Sequence, residues 1–131
     1  MRVYLDTGVL VAAFTTRGLS ADVVRVVLAG HELLFGASLR EELGAALVRA
    51  GVPDDLATDL VRTVEGEAVW AEPGPEPGLW LRDPDDAAIL AEAAGAGADV
   101  LVTGDRDLLE VADRAPVPIV DPRGFWELVR R

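Results

Sequence analysis

No cysteine, lysine, asparagine or glutamine occurs anywhere in this 131-residue chain. The missing thiol excludes disulfides, thiolate metal sites and cysteine nucleophiles, and it agrees with a reducing, cytoplasmic setting. The missing lysine excludes Schiff-base chemistry and a lysine phosphate clamp, and the missing carboxamides remove a common source of oxyanion donors. Apolar runs are also short: Val9 to Phe14 falls far below the roughly 20 residues that a membrane-spanning helix needs, so no membrane segment is expected. Nor is a signal peptide, because Met1-Arg2-Val3-Tyr4-Leu5 runs into Asp6 before an apolar core can form.

What remains is an arginine-only cationic set in an acidic chain. Asp and Glu total 23 against 12 basic residues, for a formal net charge of −11, while 50% of the residues are hydrophobic. A chain of this length buries about two thirds of its unfolded surface, enough for one domain, 1–131, without metal or disulfide support. The charge argues against duplex nucleic-acid binding through a broad basic face, since such binding gains affinity by neutralising phosphates, so any nucleic-acid activity needs a local arrangement that overcomes it.

Short β-prone segments recur at Val3–Leu5, Glu32–Phe35, Ala68–Trp70, Val100–Val102 and Val117–Val120. Between them, helical periodicity covers Ser20–Ala29, Leu39–Ala50, Leu56–Val64, Ala87–Ala96 and Leu108–Ala112, with a last helix over Phe125–Val129. This alternation predicts an α/β fold, a three-layer α/β/α sandwich around a mainly parallel sheet of about five strands. The Pro- and Gly-rich tract from Glu72 to Gly78 is expected to cross one edge of the sheet rather than to divide two domains.

In open parallel sheets, ligands bind beyond the carboxyl ends of the strands. Acids stand there: Asp6 follows the first strand and Asp105 the fourth, while Glu42 and Asp86 lie near the starts of helices. Four carboxylates sharing a pocket would repel one another without a cation, and an all-oxygen donor set selects Mg²⁺ or Mn²⁺. Such an ion serves phosphodiester hydrolysis.

Each acid also has an ordinary reading as a helix cap or first-turn carboxylate. Ser38-Leu39-Arg40-Glu41 fits the capping box S-x-x-E, and Asp83-Pro84 and Asp121-Pro122 fit an N-cap followed by proline. Glu41 lies opposite the apolar stripe of Leu39, Leu43, Ala46 and Leu47, whereas Glu42 borders it and is the better ligand. Asp85 is read as solvated. Asp107 either adds a water-mediated metal contact or caps the helix begun by Leu108. Thr7 and Thr103 either orient water and substrate or serve as local backbone partners.

Taken in order, Asp6-Thr7-Gly8-Val9-Leu10, Glu42-Leu43, Asp86-Ala87-Ala88-Ile89 and Thr103-Gly104-Asp105-Arg106-Asp107-Leu108-Leu109 resemble the motifs of PIN-domain ribonucleases of the VapC-like toxin type. The resemblance runs from Met1 to about Phe125. It implies metal coordination by Asp6, Glu42, Asp86 and Asp105, with Asp107 auxiliary, and Mg²⁺- or Mn²⁺-dependent hydrolysis of single-stranded RNA. It also implies a homodimer and a cognate antitoxin whose segment crosses the active-site groove.

Gly8 departs from the asparagine or serine common after Asp-Thr in that family, and it removes a side-chain hydrogen bond near the metal. RNA contacts in so acidic a chain fall to the metal and to local arginines, with Arg17, Arg40, Arg82 and Arg106 as candidates. Trp70, Trp80 and Trp126 are read as core or dimer packing ahead of base stacking. His31, the only histidine, is remote in sequence from every acidic motif. The competing function is a PIN-like protein-binding module with weak or lost nuclease activity. A phosphoacceptor receiver domain is disfavoured by the absence of lysine.

Overall fold

The computed structural model describes residues 1–130, within which five short strands alternate with helices. Strands β1 (Arg2–Leu5), β2 (Glu32–Phe35), β3 (Val69–Trp70), β4 (Val100–Val102) and β5 (Ile119–Val120) form one sheet in the order β3-β2-β1-β4-β5. Every neighbouring pair is parallel, with Leu5 opposite Val102 in the central pair. The edge strands β3 and β5 are shorter than their sequence patterns suggest. Val3, Tyr4, Leu5, Val100, Leu101 and Val102 are all fully buried, the unbroken apolar run expected of strands covered on both faces.

The helices are α1 (Thr7–Thr15), α2 (Leu19–Gly30), α3 (Ala37–Arg49), α4 (Asp54–Glu67), α5 (Pro84–Gly95), α6 (Arg106–Glu110) and α7 (Pro122–Val129), with a 3-10 turn at Ala112–Arg114. Periodicity does not predict α1. Its sequence, TGVLVAAFT, is apolar almost all round, so no polar face marks the helical repeat. That composition suits its position, since α1 packs against both α2 and α3.

The chain moves one way through β1, β2 and β3, then returns to add β4 and β5 on the other side of β1. Right-handed crossovers then put α1 to α4 on one face and α5 and α6 on the other. The direction reverses between β1 and β4, which opens a crevice at their carboxyl ends, the usual ligand position in such sheets. Asp6 and Asp105 follow those two strands.

The loop after β3 does more than round the sheet edge. Gly74 N–H donates to Ala91 O of α5 at 2.8 Å, and a Cβ on Gly95 would lie 2.3 Å from Gly74 N and 2.4 Å from Glu72 O. Only glycine at position 95 allows this approach.

Candidate metal centre

Asp6 ends β1 and caps α1, with its Oδ1 accepting from Val9 N–H at 3.0 Å. Its Oδ2 accepts from the Thr103 hydroxyl, which is fully buried just past β4. The capping reading of Asp6 therefore holds, with one oxygen on the helix start and the other held by Thr103. Burial raises the Asp6 pKa; the hydrogen bonds from Thr103 and Val9 oppose that shift, and the charge of Asp105 adds to it.

Asp105 caps α6, accepting from Asp107 N–H at 2.9 Å. The cap that was one reading of Asp107 thus belongs to Asp105, and the Asp107 side chain is left free to turn toward its neighbours. Asp86 lies in the first turn of α5, behind the Asp83 cap and Pro84 as anticipated. One oxygen each from Asp86, Asp105 and Asp107 lies within 4.8 Å of the others.

Glu42 lies on the inner flank of α3, half-buried, and accepts from the Thr7 hydroxyl at 3.0 Å, while Glu41 is exposed. Burial raises its pKa, Thr7 opposes the shift, and Asp85 and Asp83 add to it. Asp85 is exposed but borders the same space, so its charge acts on Glu42 across the cleft. Sequence spacing did not reveal that proximity. A cavity of about 540 Å³ is lined by Asp6, Glu42, Asp86 and Asp105, with Thr7 and Gly8 beside Asp6 and with Asp83 and Asp85 opposite. Asp107 reaches Asp86 and Asp105 from outside this cavity.

One atom distinguishes this pocket from an ordinary acidic surface. Among the described residues, Asp86 Oδ2 is the only buried side-chain polar atom without a hydrogen-bond partner. Asp86 is 5% exposed, and its carboxyl is pushed up to about 7 by burial first and then by the charges of Asp105 and Asp83. An orphaned buried oxygen beside two further carboxylates is a costly arrangement that a hard cation relieves. The donor set therefore fits Mg²⁺ or Mn²⁺.

The arginines are distributed unevenly around the pocket. Arg82 is exposed, with its Nε 3.9 Å from Asp107 Oδ2, and Arg106 is exposed next to Asp105. Arg40 is committed elsewhere: it pairs with Glu65 and stacks 4.3 Å from the Trp70 ring. Arg17 borders a separate groove between α1 and α2. His31 contacts the N-terminal amine and Phe125, away from the acids.

A further buried acid was not singled out from sequence. Glu92 of α5 is 3% exposed and accepts from Tyr4 Oη at 2.7 Å, from Ser38 N–H at 3.0 Å and from the Ser38 hydroxyl. Helix α3 has Gly36 as its N-cap and no side-chain cap of its own, so the capping box read from Ser38 to Glu41 does not form. One of its orphan donors, the Ser38 N–H, is met by Glu92 instead, which fixes the helix bearing Glu42 to the helix bearing Asp86. A Cβ on Gly36 would lie 2.1 Å from Glu92 Oε1, so this contact requires glycine there. Burial and the neighbouring Glu92 push the Tyr4 phenol well above its ordinary pKa.

Comparisons with known proteins bear on the family and the fold. The family profile described as PIN domain matches residues 2–107. No curated protein matches the chain. Among solved structures, a chain of VapBC2 from Rickettsia felis, crystallised bound to a DNA fragment from its promoter, is similar with a TM-score of 0.68 at 12% identity. The match covers 92% of this chain and 98% of that one, and it establishes a shared fold. Among the described residues, no helix is long and apolar enough to cross a membrane.

Proposed function

This chain belongs to the PIN domain family, and from that premise we propose that it is a metal-dependent endoribonuclease hydrolysing phosphodiester bonds of single-stranded RNA. The reading is carried by the orphaned Asp86 Oδ2, buried beside Asp105 and Asp107. These three carboxylates would hold a Mg²⁺ or Mn²⁺ ion, with Asp6 and Glu42 completing the acidic wall. A divalent ion so held supplies positive charge against the charge developing on the phosphodiester and acidifies water.

The chain's own residues do the positioning. Thr103 holds Asp6 and Thr7 holds Glu42, so each carboxylate presents a fixed oxygen to the pocket. Thr103 has no exposed surface, and its role is orientation of Asp6 rather than contact with RNA. Arg82 and Arg106 stand at the rim as phosphate contacts.

The motif resemblance to VapC-like toxins, together with the fold shared with a VapBC2 chain, supports a finer assignment. The protein is then the toxin of a toxin–antitoxin pair, a cytoplasmic homodimer restrained by an antitoxin segment lying over the acidic groove.

The test is cleavage of a fluorogenic single-stranded RNA with Mn²⁺ or Mg²⁺. Activity should vanish in EDTA and in Asp105→Asn, with the circular dichroism spectrum unchanged. If the wild type neither cleaves RNA nor binds either ion in calorimetry, the nuclease reading is lost and a protein-binding module remains.

A further inference from the structure

Trp80 is 83% exposed, the most exposed large hydrophobic side chain among the described residues and far from the core position its residue type favours. The other exposed tryptophan, Trp70, is tied down by Arg40 on its face and by a 2.8 Å hydrogen bond from its indole N–H to Glu72. Trp80 has no such ties. It borders a second cavity of about 260 Å³, with Leu79 and Leu81 beside it and Arg82, Val111 and Arg114 around it.

The position of this cleft is informative. Asp107 borders it and is also a member of the carboxylate trio, so the cleft adjoins the metal centre directly. Arg82 stands between them, 3.9 Å from Asp107, and Arg114 forms only an exposed pair with Asp113 at 3.7 Å. The cleft sets Arg82 and Arg114 against Asp107 and Glu110, so around the unpartnered indole the charges balance, a local exception in a chain of net charge −11. A flat apolar ring flanked by two exposed guanidinium groups, in a cleft without the negative excess of the rest of the chain, suits a strand carrying flat bases, and stacking of this kind tolerates any base.

We propose that the Trp80 cleft is a subsite for single-stranded RNA next to the cleaved bond, in which the indole stacks one base and Arg82 and Arg114 bind flanking phosphates. The identity of the strand rests on the nuclease reading above. The subsite itself rests on the exposure and placement of these side chains.

The experiment follows intrinsic tryptophan fluorescence of the whole protein while a short single-stranded RNA is added at low salt in EDTA, where cleavage is off. RNA should quench the emission, and Trp80→Ala should remove most of the quenching and weaken binding roughly tenfold. Trp80→Phe should restore much of the affinity without the signal. Replacing Arg82 and Arg114 with alanine should flatten the salt dependence of binding by about 0.7 per lost phosphate contact.

With Mn²⁺ present, Trp80→Ala should raise KM several-fold and leave kcat within about twofold of wild type. Unchanged RNA affinity together with unchanged KM overturns the subsite even if the wild type cleaves RNA. The same holds if Trp80→Ala alters only self-association in sedimentation, since the indole then belongs to a protein contact. Conversely, weakened RNA binding by Trp80→Ala in a protein that never cleaves would sustain the subsite and overturn the nuclease.

Discussion

Asp86 and Glu92 stand on the same helix, α5, and are 5% and 3% exposed, but their surroundings are opposites. Glu92 takes hydrogen bonds from Tyr4 and twice from Ser38, so its burial is compensated and it ties two helices together. Asp86 keeps one oxygen orphaned, and its neighbours are other carboxylates. A buried acid with donors serves the fold, whereas a buried acid among acids strains the metal-free fold and is relieved by a proton or a cation. The contrast sets, on a single element, an acid whose hydrogen bonds are met against one left with an orphaned oxygen.

The sharpest way to break this comparison is to neutralise Asp86. Asp86→Asn should lower metal-dependent cleavage by roughly a hundredfold or more, since even outer-shell changes at metal sites cost 10–100-fold. It should also abolish the thermal shift produced by Mn²⁺, while the metal-free protein melts a few degrees higher because the repulsion is gone. A metal-free variant that melts lower yet responds fully to Mn²⁺ would place Asp86 with Glu92 as a structural acid.

Glu92→Ala should behave the other way. Losing the acceptor for Tyr4 and Ser38 leaves buried donors unpaired and should destabilise the protein by about 3 kcal/mol or more in urea unfolding. The folded fraction should still be stabilised by Mn²⁺. Gly36→Ala tests the same contact from the other side: its Cβ would collide with Glu92 Oε1, and a loss of about 2 kcal/mol is expected.

Asp86 should also carry a pH signature. The Asp86 carboxyl titrates near 7 when folded, against an ordinary value of about 3.9 unfolded, so folding favours its protonated form. That stabilisation is complete below about pH 4 and is lost as pH rises through about 7. Asp6 and Glu42, also raised, act in the same direction. Metal-free protein should therefore melt higher at pH 5 than at pH 8, and Asp86→Asn should flatten the slope. Calorimetric Mn²⁺ affinity should rise over the same interval, because binding displaces the proton.

The smallest effect is expected at Gly8. A Cβ there would sit 3.7 Å from Asp6 Oδ1, an ordinary contact, so Gly8→Ser fits without displacement. The added hydroxyl beside Asp6 should tighten Mn²⁺ binding by a few-fold, measured by calorimetry, with little change in melting temperature.

The pocket was legible in sequence because its acids sit at punctuation points. Asp6 and Asp105 follow β-prone triplets, and Asp86 follows an Asp-Pro helix start, so strand ends and caps locate them. The parallel sheet followed from the same alternation. Helix α1 was not legible, because a helix covered on several sides has no polar stripe. Glu92 was not legible either: in an alanine-rich helix it reads as an ordinary solvated acid, and its partners lie 54 and 88 residues away. The capping box at Ser38 misled for a related reason, since a tertiary acceptor replaced the local one.

The stretch from Gly74 to Asp83 is fastened to α5 at both ends, by the Gly74–Ala91 hydrogen bond and by the Asp83 cap on Asp85 N–H. Between those two pins Leu79 and Leu81 pack against the core, while Trp80 and Arg82 are exposed and border the second cavity. Of this stretch only Asp83 lines the acidic pocket, so substitutions at Trp80 should reshape the second cavity and leave the acids in place.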